Sequence, residues 1–407
     1  MKLLNKNFIA LLIGHAFSLF GYYLLMFALP FYVLQTTGSP AIFGAISAVA
    51  FLPEILTLPI GGIFADRVSK KRIIVSMQLT LSALIFLFIG VSGFVSIIPT
   101  IMILMMSMYA IQGLGYPAID AVIPSIVPES QIVRANGIIS FASQMPEFLA
   151  LILGGVLFAT IGLIPIVVIC GIFYIVAAGM GMAMKIPHTP QPAAESIPKM
   201  IKGDIQITIR FLTKENPQLL KVVIPLALLG LVLLPMIPIG LPILITEQLG
   251  MSSEMLGFAM GSAIGIGGVA SGIIASTIGD KLKMKDCPKL LLLECVAMLP
   301  IGAVFLLNIP IMAAFVIITI FVMLITITAS LLIIRLYGYI QIETPEEILG
   351  KVVSVVTALT MCIQPLGFFL YGIMFQRLQD TPWVVIFSAA LVSLGIAIYA
   401  ARHFKKL

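Results

Sequence analysis

Charge is what this chain has least of. Of its 407 residues only 10% are Asp, Glu, Lys or Arg, against about 25% in a soluble globule. No stretch of useful size therefore reads as a water-exposed domain. Sixty per cent of the residues are hydrophobic and mean hydropathy is +1.17. Almost the whole chain must face lipid or pack against itself inside lipid.

Cysteine and histidine are scarce too. Cys170, Cys287, Cys295 and Cys362 form no Cys-x-x-Cys pair, and three of them lie in or beside apolar runs. That argues against a disulfide framework and a zinc site. His188 and His403 are the only loop-region histidines and stand far apart. No Gly-x-Ser-x-Gly, His-Glu-x-x-His or Asp-rich loop occurs, so a polytopic membrane enzyme would lack its catalytic cluster. Gly265-Ile266-Gly267-Gly268 follows no strand and lies within an apolar span, unlike a nucleotide loop. Neither a cofactor nor a metal is expected. The net charge of +6 would suggest nucleic acid in a soluble protein. Here it reads as basic residues retained in cytoplasmic loops, with no nucleic acid partner.

What the chain does have is long apolar runs. A span needs about 20 apolar residues. Such runs fall at roughly 8–34, 41–65, 73–94, 98–127, 133–160, 163–185, 218–246, 254–279, 290–308, 310–340, 348–375 and 382–402. Lys2 and Lys6 precede the first run, which is too long for a signal peptide and reads as a retained membrane helix. An even number of spans places both termini on one side. With Lys2 and Lys6 in the cytoplasm, 22 of the 23 basic residues fall on that side, Arg377 being the exception. The one long polar stretch, about 186–217, carries Pro187, Pro190, Pro192 and Pro198. Its second part, Lys199 to Leu212, suits a short amphipathic helix on the membrane surface.

The two halves repeat. Gly38 and Gly44 match Gly250 and Gly257; Asp66-Arg67 matches Asp280-Lys281; Pro128-Glu129 with Arg134 matches Pro345-Glu346 with Lys351, all at offsets of 212 to 217 residues. The expected fold is all-α: a polytopic membrane protein of twelve transmembrane helices in two pseudo-symmetric six-helix bundles. The expected division is 1–185, a cytoplasmic linker at 186–217, and 218–407. Parallel repeats of this kind place a site between the halves near the midplane.

The hairpin Gly62-Ile63-Phe64-Ala65-Asp66-Arg67-Val68-Ser69-Lys70-Lys71-Arg72 ends one apolar run and begins the next. Its Gly-x-x-x-Asp-Arg-x-x-Lys-Lys pattern resembles the signature loop of the major facilitator superfamily of transporters. The resemblance covers the whole chain. It is closest to the branch of macrolide-efflux proteins and enterobactin exporters, through Pro59-x-Gly61-Gly62-x-x-Ala65-Asp66-Arg67, the Pro124-x-x-Val127-Pro128-Glu129 and Arg134-Ala135-Asn136 run, and Pro345-Glu346 before Gly350-Lys351-Val352. There are departures. Ser69 stands where that family usually has Gly. Tyr109 stands where many proton-coupled exporters carry Arg, three residues before Gln112-Gly113. Of the fifth-helix motif only Gly154-Gly155 remains.

The resemblance implies that Asp66 docks near Gly350 and Lys351, a cytoplasmic latch. Asp66 ends a helix whose own dipole disfavours an anion there, so a compensating partner is needed. Gly62, Asp66, Arg67, Lys70, Lys71, Asp280 and Lys351 are the gating candidates. Glu54 precedes Asp66 by twelve residues, about 18 Å, and Glu147 follows Arg134 by thirteen, about 20 Å. Both fall near the middle of a core about 30 Å thick, where a carboxylate is a functional hypothesis by default. Asp120 lies about 12 Å from the cytoplasmic end of its helix and Arg335 near the same depth, so the two are a candidate pair. His15 could titrate. These five are the candidates for proton coupling or substrate recognition. Tyr22, Tyr23, Tyr109, Gln112, Tyr116 and Gln364 are the candidate aromatic and amide lining. Gly257, Gly261, Gly265, Gly268 and Gly272 form a small-residue face suited to close helix packing.

The function expected is secondary active transport by alternating access: proton-coupled efflux of an amphipathic small molecule, by a monomer in the lipid bilayer of the cell membrane. An importer or a lysolipid flippase on the same fold is the alternative; a channel or receptor fits the duplicated halves less well. Asp66→Asn is expected to impair transport while leaving the protein folded. Normal turnover in that variant, measured in membrane vesicles, removes the latch.

Overall fold

The computed structural model describes residues 5–128, 131–186, 197–278, 282–307 and 309–404. Among them, twelve helices are long and apolar enough to cross a membrane, and no strand is present. The first six are α1 (Lys6–Thr37), α2 (Pro40–Arg67), α3 (Lys70–Val91), α4 (Ile97–Ile126), α5 (Ile132–Ile161) and α6 (Leu163–Ala183). Then comes the polar linker helix α7 (Ile197–Arg210). The second six are α8 (Pro217–Gln248) and α9 (Ser253–Thr277), α10 (Cys287–Leu306), α11 (Ile311–Glu343), α12 (Glu346–Arg377) and α13 (Pro382–His403). Helix is the form lipid imposes, because every backbone N–H and C=O must be satisfied within its own segment. Several helix boundaries fall at charge or at a turn glycine: α2 ends at Arg67 and α3 begins at Lys70, and Gly38, Gly162 and Gly250, with φ between 57° and 73°, follow α1, α5 and α8.

Two departures from regular helix lie in the second half. α8 holds a 3₁₀ turn at Leu234–Met236 and a π turn at Ile243–Gln248, around Pro235, Pro238 and Pro242, none of which can donate a backbone hydrogen. α9 carries a π turn at Ser262–Ile266. The glycine face expected on α9 is divided. Gly257 and Gly261 are buried, but a side chain at Gly268 or Gly272 would meet open space.

The chain forms two compact units. One comprises Met1–Thr37 and Val49–Ile197, the other Gly38–Ala48 and Pro198–Leu407. In the first, α1 packs on α5 and α6, and α3 on α4 and α6. Asn5 and Asn7 bind the backbone of neighbours at the ends of their helices, Asn5 Nδ2 donating to Ile126 O at 2.7 Å and Asn7 Nδ2 to Lys185 O at 2.9 Å. Lys71 Nζ donates to Met182 O at 2.5 Å and Met184 O at 2.7 Å. It so places a cation on the carbonyl end of α6, the favourable end of the dipole. In the second unit, α10 packs on α11 and α13, and α12 on α8.

The first turns of α2 belong to the second unit, and their packing shows why. A Cβ at Gly44 would lie 2.6 Å from Phe368 O and 2.8 Å from Gly372 Cα; one at Gly372 would lie 2.6 Å from Pro40 O. Two backbones in such contact admit only glycine on either side. Gln376 Oε1 closes the crossing, accepting from Ser39 Oγ at 2.8 Å and from the Ala41 amide at 3.4 Å. An orphan amide at the start of α2 is thereby satisfied by a side chain of α12. Gly372→Leu is expected to cost about 1–3 kcal/mol through overpacking, read as a fall in thermal unfolding temperature. Gly93→Ala, where nothing lies within 4 Å, should leave it unchanged.

Candidate functional site

α5 presents a polar stripe on an otherwise apolar helix. Ser140, Ser143, Gln144 and Glu147 recur at helical spacing, so all four share one face. Pro146 removes the amide that would bond the Ala142 carbonyl, adding a polar backbone group beside Glu147. α1 presents His15, Ser18, Tyr22 and Tyr23 in two turns. Where α1 meets α5, with Ile119 of α4 as a third wall, a cavity of about 310 Å³ opens. His15, Tyr23, Ser140, Ser143, Gln144 and Glu147 are its polar lining.

The hydrogen bonds give this lining an orientation. Ser143 Oγ lies 2.9 Å from Ile139 O and 2.9 Å from His15 Nε2. The hydroxyl and the imidazole share one hydrogen bond whose direction follows the tautomer of the ring. Nδ1 is buried and has no hydrogen-bond partner. The Tyr23 hydroxyl donates to the Glu147 carboxyl. Behind the cavity, Ser18 Oγ and Gln78 exchange hydrogen bonds of 3.0 and 3.1 Å, fastening α1 to α3.

An aromatic chain links this cavity to the second acid. The Tyr22 ring lies edge-on to Tyr23 at 5.4 Å and to Tyr109 at 6.3 Å, and Tyr109 lies edge-on to Phe51 at 5.2 Å. Glu54 is close enough to act electrostatically on both Tyr22 and Tyr109. The backbone beside Glu54 reaches α4 because position 113 is glycine. A Cβ there would lie 2.9 Å from Glu54 O and 3.1 Å from Leu58 N, and would also strike Thr57 Oγ1. Glu54 and Glu147 are thus the ends of one series of phenols, inside a single unit.

The other sequence candidates lie elsewhere. Gln112 is half-buried on α4. Gln364 belongs to the second unit, where its side chain lies against Gly230 of α8. Arg335 lies near Cys287 and Tyr339 and keeps a buried, unpartnered Nε. Lys351 pairs with Asp204 of the linker helix at 3.5 Å, and both side chains are about two-fifths exposed. The side chains of Gly62 to Arg67, Tyr116 and Asp120, and all of Asp280, lie outside the described residues. Ser140, Ser143, Gln144 and Glu294 are absent from the sequence-based candidates. The first three were visible as a stripe at helical spacing; Glu294 was visible as the single acid of an apolar span.

The family model described as Major Facilitator Superfamily matches residues 11–363. Over 126 residues the chain is 29% identical to macrolide efflux protein A of Streptococcus pyogenes. That match spans 30% of this chain and 31% of that protein. Among solved structures, the chain is similar to a bacterial homologue of the human lysosomal transporter Spinster in an inward-facing, unoccupied conformation. The TM-score is 0.74 at 14% identity, covering 98% of this chain and 97% of that one. The nucleoside transporter NupG gives 0.73 at 16% identity, covering 99% and 100%. An auto-inhibited peptide transporter of the POT family gives 0.75 at 12%, covering 99% and 97%. At such identities the likeness speaks for the fold.

Ser143→Ala removes the hydrogen-bond partner of His15 Nε2. It is expected to cost about 1–3 kcal/mol in chemical unfolding of the purified protein. Ser143→Thr, which keeps the hydroxyl, should restore most of it.

Proposed function

The chain belongs to the Major Facilitator Superfamily and is a multi-pass membrane transporter rather than an enzyme; from that premise we propose that it exports an amphipathic, cationic small molecule in exchange for protons. The observation that carries this reading is the cavity of the first unit. It places a carboxyl, an imidazole and several hydroxyls among apolar and aromatic walls. An amphipathic solute finds apolar area on Tyr23, Ile119 and Ile139, and its cationic group finds Glu147. Inside a medium without water, such a pairing is stronger than it would be at a surface.

Exchange follows from competition for one carboxyl. When Glu147 is ionised it attracts the cation. When it takes up a proton, it loses that attraction and the solute leaves. The His15 imidazole and the phenols between Glu147 and Glu54 supply further groups able to accept or relay a proton. The partial likeness to a macrolide efflux protein agrees with the direction, as does the lack of nucleotide motifs with a gradient as energy source. Alternating access would move Gly62, Asp66, Arg67, Lys70, Lys71, Asp280 and Lys351 at the cytoplasmic end. Asp204 holds Lys351 in this conformation, so engagement of Asp66 there would require that pair to part. The chain would work as a monomer in the cell membrane, both termini cytoplasmic.

Everted vesicles test this. Uptake of a cationic macrolide or dye should rise when the vesicle lumen is acid, and collapse when the gradient is dissipated. Glu147→Gln should lower gradient-driven uptake by about tenfold or more, equivalent to about 1.4 kcal/mol. Uptake indifferent to the gradient counts against proton exchange. Accumulation of sugars or lysolipids but no cationic solute counts against the substrate class.

A further inference from the structure

The cavity on α1 and α5 offers more than a charge. Its polar row on α5 runs Ser140, Gln144 and Glu147, each about one turn from the next, so neighbouring Cβ atoms lie about 5–6 Å apart. Ser143 lies on the same face, but its hydroxyl is already engaged by Ile139 O and His15 Nε2. Ser140 and Gln144 are exposed and line the cavity. Among the described residues neither has a hydrogen-bond partner. A carboxamide and a hydroxyl, each able to donate and to accept, thus stand open one and two turns from a carboxyl. A solute that displaces water here must satisfy them or leave them unpaired at a cost.

Size limits what can enter. The cavity, about 310 Å³, is at the small end of ligand pockets, which run from about 300 to 1,000 Å³. A water takes about 30 Å³ in the liquid, so the space suits a group of about ten non-hydrogen atoms. A larger solute lays only its head here. Ile119 and Ile139 receive the carbon skeleton of that head.

We propose that the cavity recognises a vicinal amino alcohol. The ammonium pairs with Glu147, and the hydroxyl on the adjacent carbon is held by Gln144. Ser140 takes a second hydroxyl where the solute has one. A hydroxyl suits the carboxamide because it can both donate to it and accept from it. Nitrogen and oxygen on adjacent carbons are close enough for two side chains one turn apart to reach both. A plain amine of the same skeleton meets the carboxyl equally well but strands the carboxamide. Unpaired polar groups reject such an analogue more strongly than an apolar wall rejects a missing methylene. This head-group class rests on Glu147 being the partner of the cation, and adds Gln144 as the residue that sets specificity.

Isothermal titration calorimetry of the full-length protein in lipid nanodiscs, at neutral pH, tests it with three compounds on one phenyl skeleton: phenethylamine, phenylethanolamine and the neutral diol styrene glycol. The amino alcohol should bind about tenfold more tightly than the amine, the worth of one hydrogen bond, and the diol more weakly than either. Partition into lipid favours the less polar amine, so a preference in the other direction belongs to the protein. Gln144→Leu should abolish the preference. Equal affinities of amine and amino alcohol for the unaltered protein overturn the hydroxyl subsite while leaving the cation reading in place. A diol that binds as tightly as the amino alcohol, or binding of neither amine, overturns the cation reading and the subsite with it. If Gln144→Leu does not fold, Gln144→Met replaces it. A preference that survives the substitution overturns the role of Gln144.

Discussion

Water is missing from the middle of a bilayer, and each feature of this molecule is an answer to that absence. Backbone groups are satisfied within helices. Basic residues are pushed to the ends, where Lys71 is taken up by the carbonyls of α6. Hydroxyls that remain inside bend back onto their own helix, as Ser47, Thr57, Thr326 and Thr360 do. What cannot be satisfied so cheaply is a carboxyl. Among the described residues Glu54, Glu147 and Glu294 stand well inside spans, near the hydroxyls of Tyr109, Tyr23 and Thr328 respectively.

That arrangement separates scaffold from chemistry. Leu, Ile, Val and Phe set where helices lie, since lipid and protein interior are equally apolar and close approach depends on small residues. The Gly61 and Gly113 pair on α2 and α4 and the Gly44 and Gly372 pair on α2 and α12 are such approaches. The polar groups then sit on a frame that they did little to build. This lets one superfamily carry many solutes on one fold, and it explains why neighbours at 12–16% identity share the architecture.

The spans were legible because a run of about 20 apolar residues has few other uses, and the hairpin at Asp66 because charge between two such runs must lie at an interface. The depth of Glu54 and Glu147 followed from counting residues along each helix. Which way a side chain points did not follow. A soluble helix advertises its buried face through amphipathicity; a lipid-embedded one is apolar nearly all round, so the stripe on α5 marks one face of that helix but does not tell which face of α1 it meets. The bond from His15 to Ser143 depends on that rotation of α1. Glu294 was open to the same depth argument as the other acids. It lies nearer the end of its span, where a charge in sequence looks solvated, and only the three-dimensional packing of α11 and α13 closes it off. The pairing of Lys351 with Asp204 had no signal at all, since it joins a loop helix to a span more than 140 positions later.

α2 has a peculiar standing among the helices. Its residues up to Ala48 are bound into one unit and those from Val49 onward into the other, yet it is a single unbroken rod. Between the clasp at Gln376 and the charged hairpin lie Pro53 and Pro59, each of which deletes a rung of the hydrogen-bond ladder. The two prolines leave the helix least braced along its own axis at these points. Glu54 is the residue next to the first of them, so its carboxyl stands on the stretch of α2 that has lost a rung.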